Sequence, residues 1–243
     1  MTEQLYLDNA YIRECDATLL HVFILSKKWI AIILDRTCLQ PSHRDGGDAG
    51  HLVMEDGDMI QIEKVVNDTH SGRIEHRTRF RGEIPVGKPV KCVVNWDRRY
   101  LLMRKHTGNH LLYGCGKLLL GRGFTALSKT TLGDTYTHWI GQAESVDEDT
   151  IGEIFRMANE VILEGRKVDV ETLSRQEALE KCGKYHEAII PQALRELRVV
   201  TIEELDSNPC IGLHVRNVQE IKNIRLDRVV REKGDLKIYS YVE

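Results

Sequence analysis

Through its first ninety or so residues the chain is built of short apolar runs broken by turn formers, the pattern of a β-rich segment. Ala17 to Leu25 and Trp29 to Leu34 are β-branched and aromatic runs separated by Ser26-Lys27-Lys28. Asp56-Gly57 marks a hairpin turn between two alternating segments, and Lys91 to Trp96 reads as a further short strand. Strands of this length joined by loops predict a small barrel or sandwich. The turn-rich segment Pro41 to Gly50 falls between two of them, either as a surface connection or as a loop facing a ligand.

From about Asp97 the apolar spacing lengthens. Leu101, Leu102, His106, Leu111, Leu112 and Leu118 recur at helical intervals, although Gly108, Gly114 and Gly116 oppose a helix there. Ile151, Ile154, Phe155, Ala158, Val161 and Ile162 make a cleaner stripe, with Gly165 placed to end it. Ser174-Arg-Gln-Glu177 fits a capping box that opens a short third helix. Leu197 to Ile202 and Leu236 to Val242 then alternate as strands. The fold class is therefore α+β, with a β-rich N-terminal domain over residues 1–95 and helices packed on a mostly antiparallel sheet over 96–243.

Composition narrows the class further. The chain has 243 residues, 42% hydrophobic and 29% charged, which excludes disordered, collagen-like and disulfide-scaffold proteins. That length favours two domains over one. No apolar run reaches membrane-spanning length and the N-terminus has no signal-peptide pattern, so no membrane partner is expected. The six cysteines, without a Cys-x-x-Cys pair, suit reduced thiols in the cytoplasm. Net charge is −3, but its distribution is uneven: seven bases (Arg98, Arg99, Arg104, Lys105, Lys117, Arg122, Lys129) and no acid lie between Arg98 and Thr130. Such a run is either a solvated helix face or local positive potential for a phosphate-bearing partner.

His106 and His110, at i and i+4, share one helix face, and Cys210 precedes His214 by the same interval. Three imidazoles and a thiolate suit tetrahedral zinc, whereas two unrelated histidine pairs would be ordinary interior or surface residues. Four candidate ligands also exceed the three of a usual catalytic zinc. Either one ligand yields to water or substrate, or the site is closed and structural.

The segment Trp96-Asp-Arg-Arg-Tyr-Leu-Leu-Met-Arg-Lys-His-Thr-Gly-Asn-His-Leu-Leu112 resembles the editing-domain helix of alanyl-tRNA synthetases and of the free-standing AlaX editing proteins. The resemblance continues through Ala158 to Ile162 and Val199 to Ile202, and then through Cys210-Ile-Gly-Leu-His214-Val-Arg-Asn217 and Glu220-Ile221. It covers the last 150 or so residues closely and residues 1–95 more loosely, around Leu34-Asp-Arg-Thr37 and the glycine-rich loop. It implies a β-barrel-like N-terminal domain, a C-terminal two-layer editing domain, and zinc held by His106, His110, Cys210 and His214. The implied reaction is hydrolysis of a wrong amino acid, serine foremost and glycine second, from the acceptor end of tRNA(Ala). No synthetase half accompanies it, so the implied enzyme acts in trans. The chain has Ile211 and Leu213 where the family motif commonly reads Cys-Gly-Gly-Thr-His, and keeps Gly46, Gly47, Asp48 and Gly50 of the glycine-rich loop. By the same resemblance Thr135 is the pocket hydroxyl, with Thr131 second. Gly46, Gly47, Asp48, Arg104 and Lys105 are candidate substrate contacts. Arg98, Arg99, Lys117, Arg225, Arg228 and Arg231 are further candidates for tRNA phosphates. A non-catalytic relative that binds tRNA or a synthetase around a structural zinc is the alternative, and a small-ester metallohydrolase the third. The oligomeric state stays open.

Overall fold

The computed structural model describes residues 1–42, 47–68, 70–121, 135–141, 144–183 and 190–243, and the main chain of 126–130. The chain divides into two compact units, Met1–Leu102 and Met103–Glu243.

The first unit carries β1 (Glu3–Gln4), α1 (Leu5–Asp8), β2 (Glu14–Ile24), β3 (Ile30–Leu34), β4 (Arg36–Thr37), β5 (Gly50–Met54), β6 (Met59–Ile62), β7 (Lys64–Asp68), β8 (Arg73–Thr78) and β9 (Pro89–Val94). Seven of these strands form one antiparallel sheet in the order β6-β5-β9-β2-β3-β8-β7. Its two edge strands, β6 and β7, are separated by Glu63 alone, whose N–H donates to Arg77 on β8. Edges joined by one residue must lie near each other, so the sheet curls into a nearly closed barrel, the closure that removes exposed edges. Leu19, Ile32, Leu34, Leu39, Leu52, Ile60 and Ile62 fill it, all fully buried. The turn at Asp56-Gly57 joins β5 to β6 with Gly57 at φ 89°, a left-handed conformation suited to glycine. Ser26 closes the β2–β3 hairpin, its hydroxyl accepting from the N–H of Lys28 and Trp29.

Trp96 does not end a strand as the sequence suggested. Asn95 caps the next helix, its side chain accepting from Arg98 N–H at 3.1 Å, and α2 runs from Trp96 to Leu120. The division between the units falls within it. The three glycines that opposed a helix here serve its packing instead. A Cβ at Gly108 would lie 3.0 Å from Ile224, at Gly114 2.8 Å from Leu205, and at Gly116 2.4 Å from the Trp139 ring. Gly116→Ala is therefore expected to destabilise the protein by about 1–3 kcal/mol through overpacking, measured as a lower denaturant midpoint at unchanged slope.

The second unit continues with β10 (Ala126–Thr130), β11 (Thr135–Trp139), α3 (Glu148–Glu164), β12 (Val168–Ser174), α4 (Arg175–Cys182), β13 (Glu196–Ile202), β14 (Asp206–Pro209), β15 (Ile224–Glu232) and β16 (Asp235–Val242). All six residues of the apolar stripe on α3 are buried, Asp147 caps its start, and Gly165 ends it at φ 76°. Ser174 and Glu177 form the expected capping box on α4. The strands do not make one sheet. They fall into an antiparallel sheet of order β10-β11-β16-β15 and a second of order β12-β13-β14. Short reversals, at Glu203–Leu205 and at Lys233-Gly234, join β13 to β14 and β15 to β16, whereas β16 also pairs with the distant β11. Among the described residues no helix is long and apolar enough to cross a membrane.

Candidate metal centre

Two elements of the second unit supply the donors. His106 and His110 lie one turn apart on α2, with ring centroids 5.1 Å apart. Beyond β14 the chain turns back toward α2 and brings Cys210 and His214 to the same place. The His214 ring lies 4.3 Å from that of His106 and 4.7 Å from that of His110, and Cys210 Sγ is 3.5 Å from His106 Nε2. One ligand atom from each of the four lies within 4.8 Å of the others.

His106 and His214 are buried, and desolvation dominates the result: His106 titrates down at about 4 and His214 well below an ordinary imidazole. Both are therefore neutral at pH 7, the form that binds metal. For His214 the hydrogen bonds also fix the tautomer. Thr107 donates its hydroxyl to the Met103 carbonyl at 2.9 Å, so its oxygen must accept from His214 Nδ1–H at 3.1 Å and from Val215 N–H at 3.2 Å. The His214 Nε2 lone pair is left in the interior with no hydrogen-bond partner among the described residues. An orphaned buried acceptor among two imidazoles and a thiol is what a cation would satisfy, and the donor set fits zinc.

Arg198 holds the loop that carries Cys210. From β13 its Nη1 donates to the carbonyls of Cys210 and Gly212, at 2.9 and 2.7 Å, and its charge depresses both His106 and His214. Neither Arg198 nor Thr107 was foreseen. Arg198 had a signal, a lone cation inside the apolar run Leu197 to Ile202; Thr107 had none beyond standing beside a histidine. Thr107→Val is expected to weaken zinc binding by about 10- to 100-fold, because it releases the ring that presents Nε2. Competition with a chelator while the fold is followed by circular dichroism measures this.

Other candidates are placed differently. Thr135 is 3% exposed and its hydroxyl has no partner among the described residues. Thr137 and Trp139, on the same face of β11, meet Asn109 and Gly116 of α2. Thr131 and Gly46 lie outside the described residues, as do Arg122 and the Lys129 side chain. Asp48 turns inward instead of toward a ligand. Its carboxylate is 3% exposed, receives Gln40 N–H at 2.6 Å, and pairs with Arg99, itself 1% exposed. Burial and bonding to that carboxylate and to the Ile12 and Cys38 carbonyls argue against Arg99 as a phosphate contact. Gly47 takes φ 59° and its carbonyl accepts from Arg98. Arg104 is also withdrawn from the surface: it donates to the Glu220 and Ile221 carbonyls at 2.7 Å, while Lys105 is 6% exposed. Burial argues against both as substrate contacts and makes Arg104 a brace for the turn after His214. Lys117 pairs with the buried Asp206, whereas Arg225, Arg228 and Arg231 on edge strand β15 pair with surface acids.

Residues 197–237 match the family model described as the threonyl and alanyl tRNA synthetase second additional domain. The chain is 32% identical to the alanyl-tRNA editing protein AlaX-M of Saccharolobus solfataricus, covering all of both chains. It is 31% identical to that of Methanosarcina mazei, over 98% of this chain and 96% of the relative. The alanine–tRNA ligase of Pyrococcus abyssi is 32% identical over 94% of this chain but only 24% of the ligase. Full-length likeness to the free-standing proteins, together with a four-donor cluster on the helix and loop that carry the shared motifs, settles the relationship: the chain belongs to the AlaX-M family of alanyl-tRNA editing proteins.

Proposed function

We propose that this protein is a trans-acting hydrolase of the cytoplasm that deacylates mischarged tRNA(Ala), serine foremost and glycine second, at a zinc centre formed by His106, His110, Cys210 and His214. The observation that carries the reading is the unsatisfied His214 Nε2 facing three further donors in the interior of the second unit. Bound zinc would supply a Lewis acid, which polarises an ester carbonyl or a water beside it. The chain's own groups do the rest. Arg198 places positive charge beside the cluster, where negative charge develops during attack on an ester. Successive inward residues of β11 step back along α2, from Gly116 to Asn109, and Thr135 is next in that order. Its buried hydroxyl, with no partner among the described residues, suits a role in orienting the attacking water or the amino-acid side chain. An aminoacyl ester is already activated, so orientation and charge stabilisation suffice.

For tRNA phosphates the exposed Arg225, Arg228 and Arg231 replace the buried arginines as leading candidates. Their surface ion pairs are worth little and exchange readily for phosphate. Replacing all three by alanine is expected to weaken tRNA binding and to reduce the slope of log affinity against log salt by roughly 2–3. An unchanged slope removes them from the interface. Release of labelled serine, glycine or alanine from charged tRNA(Ala) tests the activity itself. The closed look of a four-donor set favours one second reading, a tRNA-binding relative with structural zinc. Binding without release of any amino acid would select it.

A further inference from the structure

Three of the six cysteines, far apart in sequence, meet inside the barrel of the first unit. Cys15 on β2 pairs directly across the ladder with Cys92 on β9, and Cys38 follows β4. Their three sulfurs lie within 4.8 Å of one another. All are free thiols; Cys38 and Cys92 are fully buried, whereas Cys15 is half-buried and opens the cluster toward solvent.

Cysteines often serve as small hydrophobes in a core, but an apolar filler needs no polar surroundings. Here the surroundings are polar and ordered. The Thr37 hydroxyl sits 3.8 Å from Cys92 Sγ and 2.8 Å from His76 Nε2. His76 is fully buried, and burial holds it neutral, titrating at about 4. Its Nδ1–H donates to the Ile32 carbonyl at 3.1 Å, so Nε2 is the acceptor. Leu39 N–H donates to the Thr37 oxygen at 3.0 Å, which leaves the hydroxyl proton for His76. A relay thus runs from the Cys92 thiol through Thr37 to a neutral imidazole.

We propose that Cys15, Cys38 and Cys92 form a second metal site, separate from the histidine–cysteine centre, which binds one soft divalent cation through three thiolates. Metal–sulfur bonds of about 2.3 Å in a trigonal ring set the sulfurs about 4.0 Å apart, within 1 Å of their present limit. Binding exchanges three thiol protons for the ion, leaving one net negative charge. A monovalent ion would leave two, at greater desolvation cost. The all-sulfur donor set excludes magnesium and calcium.

Cadmium ion is a suitable probe, added to reduced protein. Native mass spectrometry is expected to find two Cd2+ per wild-type chain and one in Cys15→Ser. In a His110→Ala/Cys210→Ser background, which removes the other centre, one Cd2+ should remain with sulfur-to-cadmium charge-transfer absorbance. Adding Cys15→Ser or Cys15→Ala there should weaken binding by more than about tenfold and remove the absorbance. Circular dichroism establishes that each variant is folded. A single Cd2+ in wild type and Cys15→Ser alike, or charge-transfer absorbance in the background that survives both Cys15 substitutions, overturns the site.

Discussion

Replacing His110 by alanine is expected to slow serine release from Ser-tRNA(Ala) by at least about a hundredfold, and to lower zinc content well below one ion per chain. Residues that only orient a ligand typically cost 10- to 100-fold, and a donor itself should cost more. The ring lies 4.7 Å from that of His214 and 5.1 Å from that of His106, so no other side chain of the cluster can take its place without moving α2. His110 is only half-buried, so the variant should fold, as circular dichroism would verify. Three results are distinguishable. Activity and zinc lost together support a catalytic centre. Zinc lost with deacylation unchanged makes the ion structural, and both unchanged would sink the site.

The largest effect on stability is expected at Asp48. Substitution by alanine leaves the Arg99 cation 1% exposed and without its counter-charge, still bonded to the carbonyls of Ile12 and Cys38. Breaking one partner of a buried pair costs about 3–5 kcal/mol. In a chain of this size that lowers Tm by roughly 6–20 °C. Adding Arg99→Met should recover part of the loss, because the stranded charge goes but the two carbonyls lose their donor. A calorimetric double-mutant cycle measures the coupling. A loss below about 1 kcal/mol in Asp48→Ala would mean that water reaches the guanidinium.

The same pair shows where reading the sequence falls short. A glycine-rich loop with an acid and a basic helix start looked like ligand chemistry, because composition records charge and not direction. Asp48 and Arg99 are 51 positions apart, and their contact depends on how the loop before β5 folds against the first turns of α2 within the first unit. Arg104 likewise turns inward, where sequence alone recorded only its charge. The carbonyls it binds, at Glu220 and Ile221, lie more than a hundred residues downstream. The glycines of α2 misled in the opposite sense: propensity counted against a helix, and the close approach of Ile224, Leu205 and Trp139 favoured one.

What did carry over from sequence is local. The stripe on α3 with its αL stop, the capping box on α4 and the Asp56-Gly57 hairpin are each decided by residues within a few positions of one another. The His106–His110 pair also followed from sequence, since a helix places i and i+4 on one face whatever surrounds it. The family motifs were legible as well, being runs of adjacent residues. The convergence of Cys210 and His214 on that pair was implied only by the family resemblance, and tertiary structure alone decided two further things: the Thr107 hydroxyl that turns the His214 lone pair inward, and the meeting of three cysteines in the barrel. Periodicity fixes which way a side chain points from its own element. Only packing, driven by burial of the apolar faces and by the need to pair interior polar groups, decides what it meets.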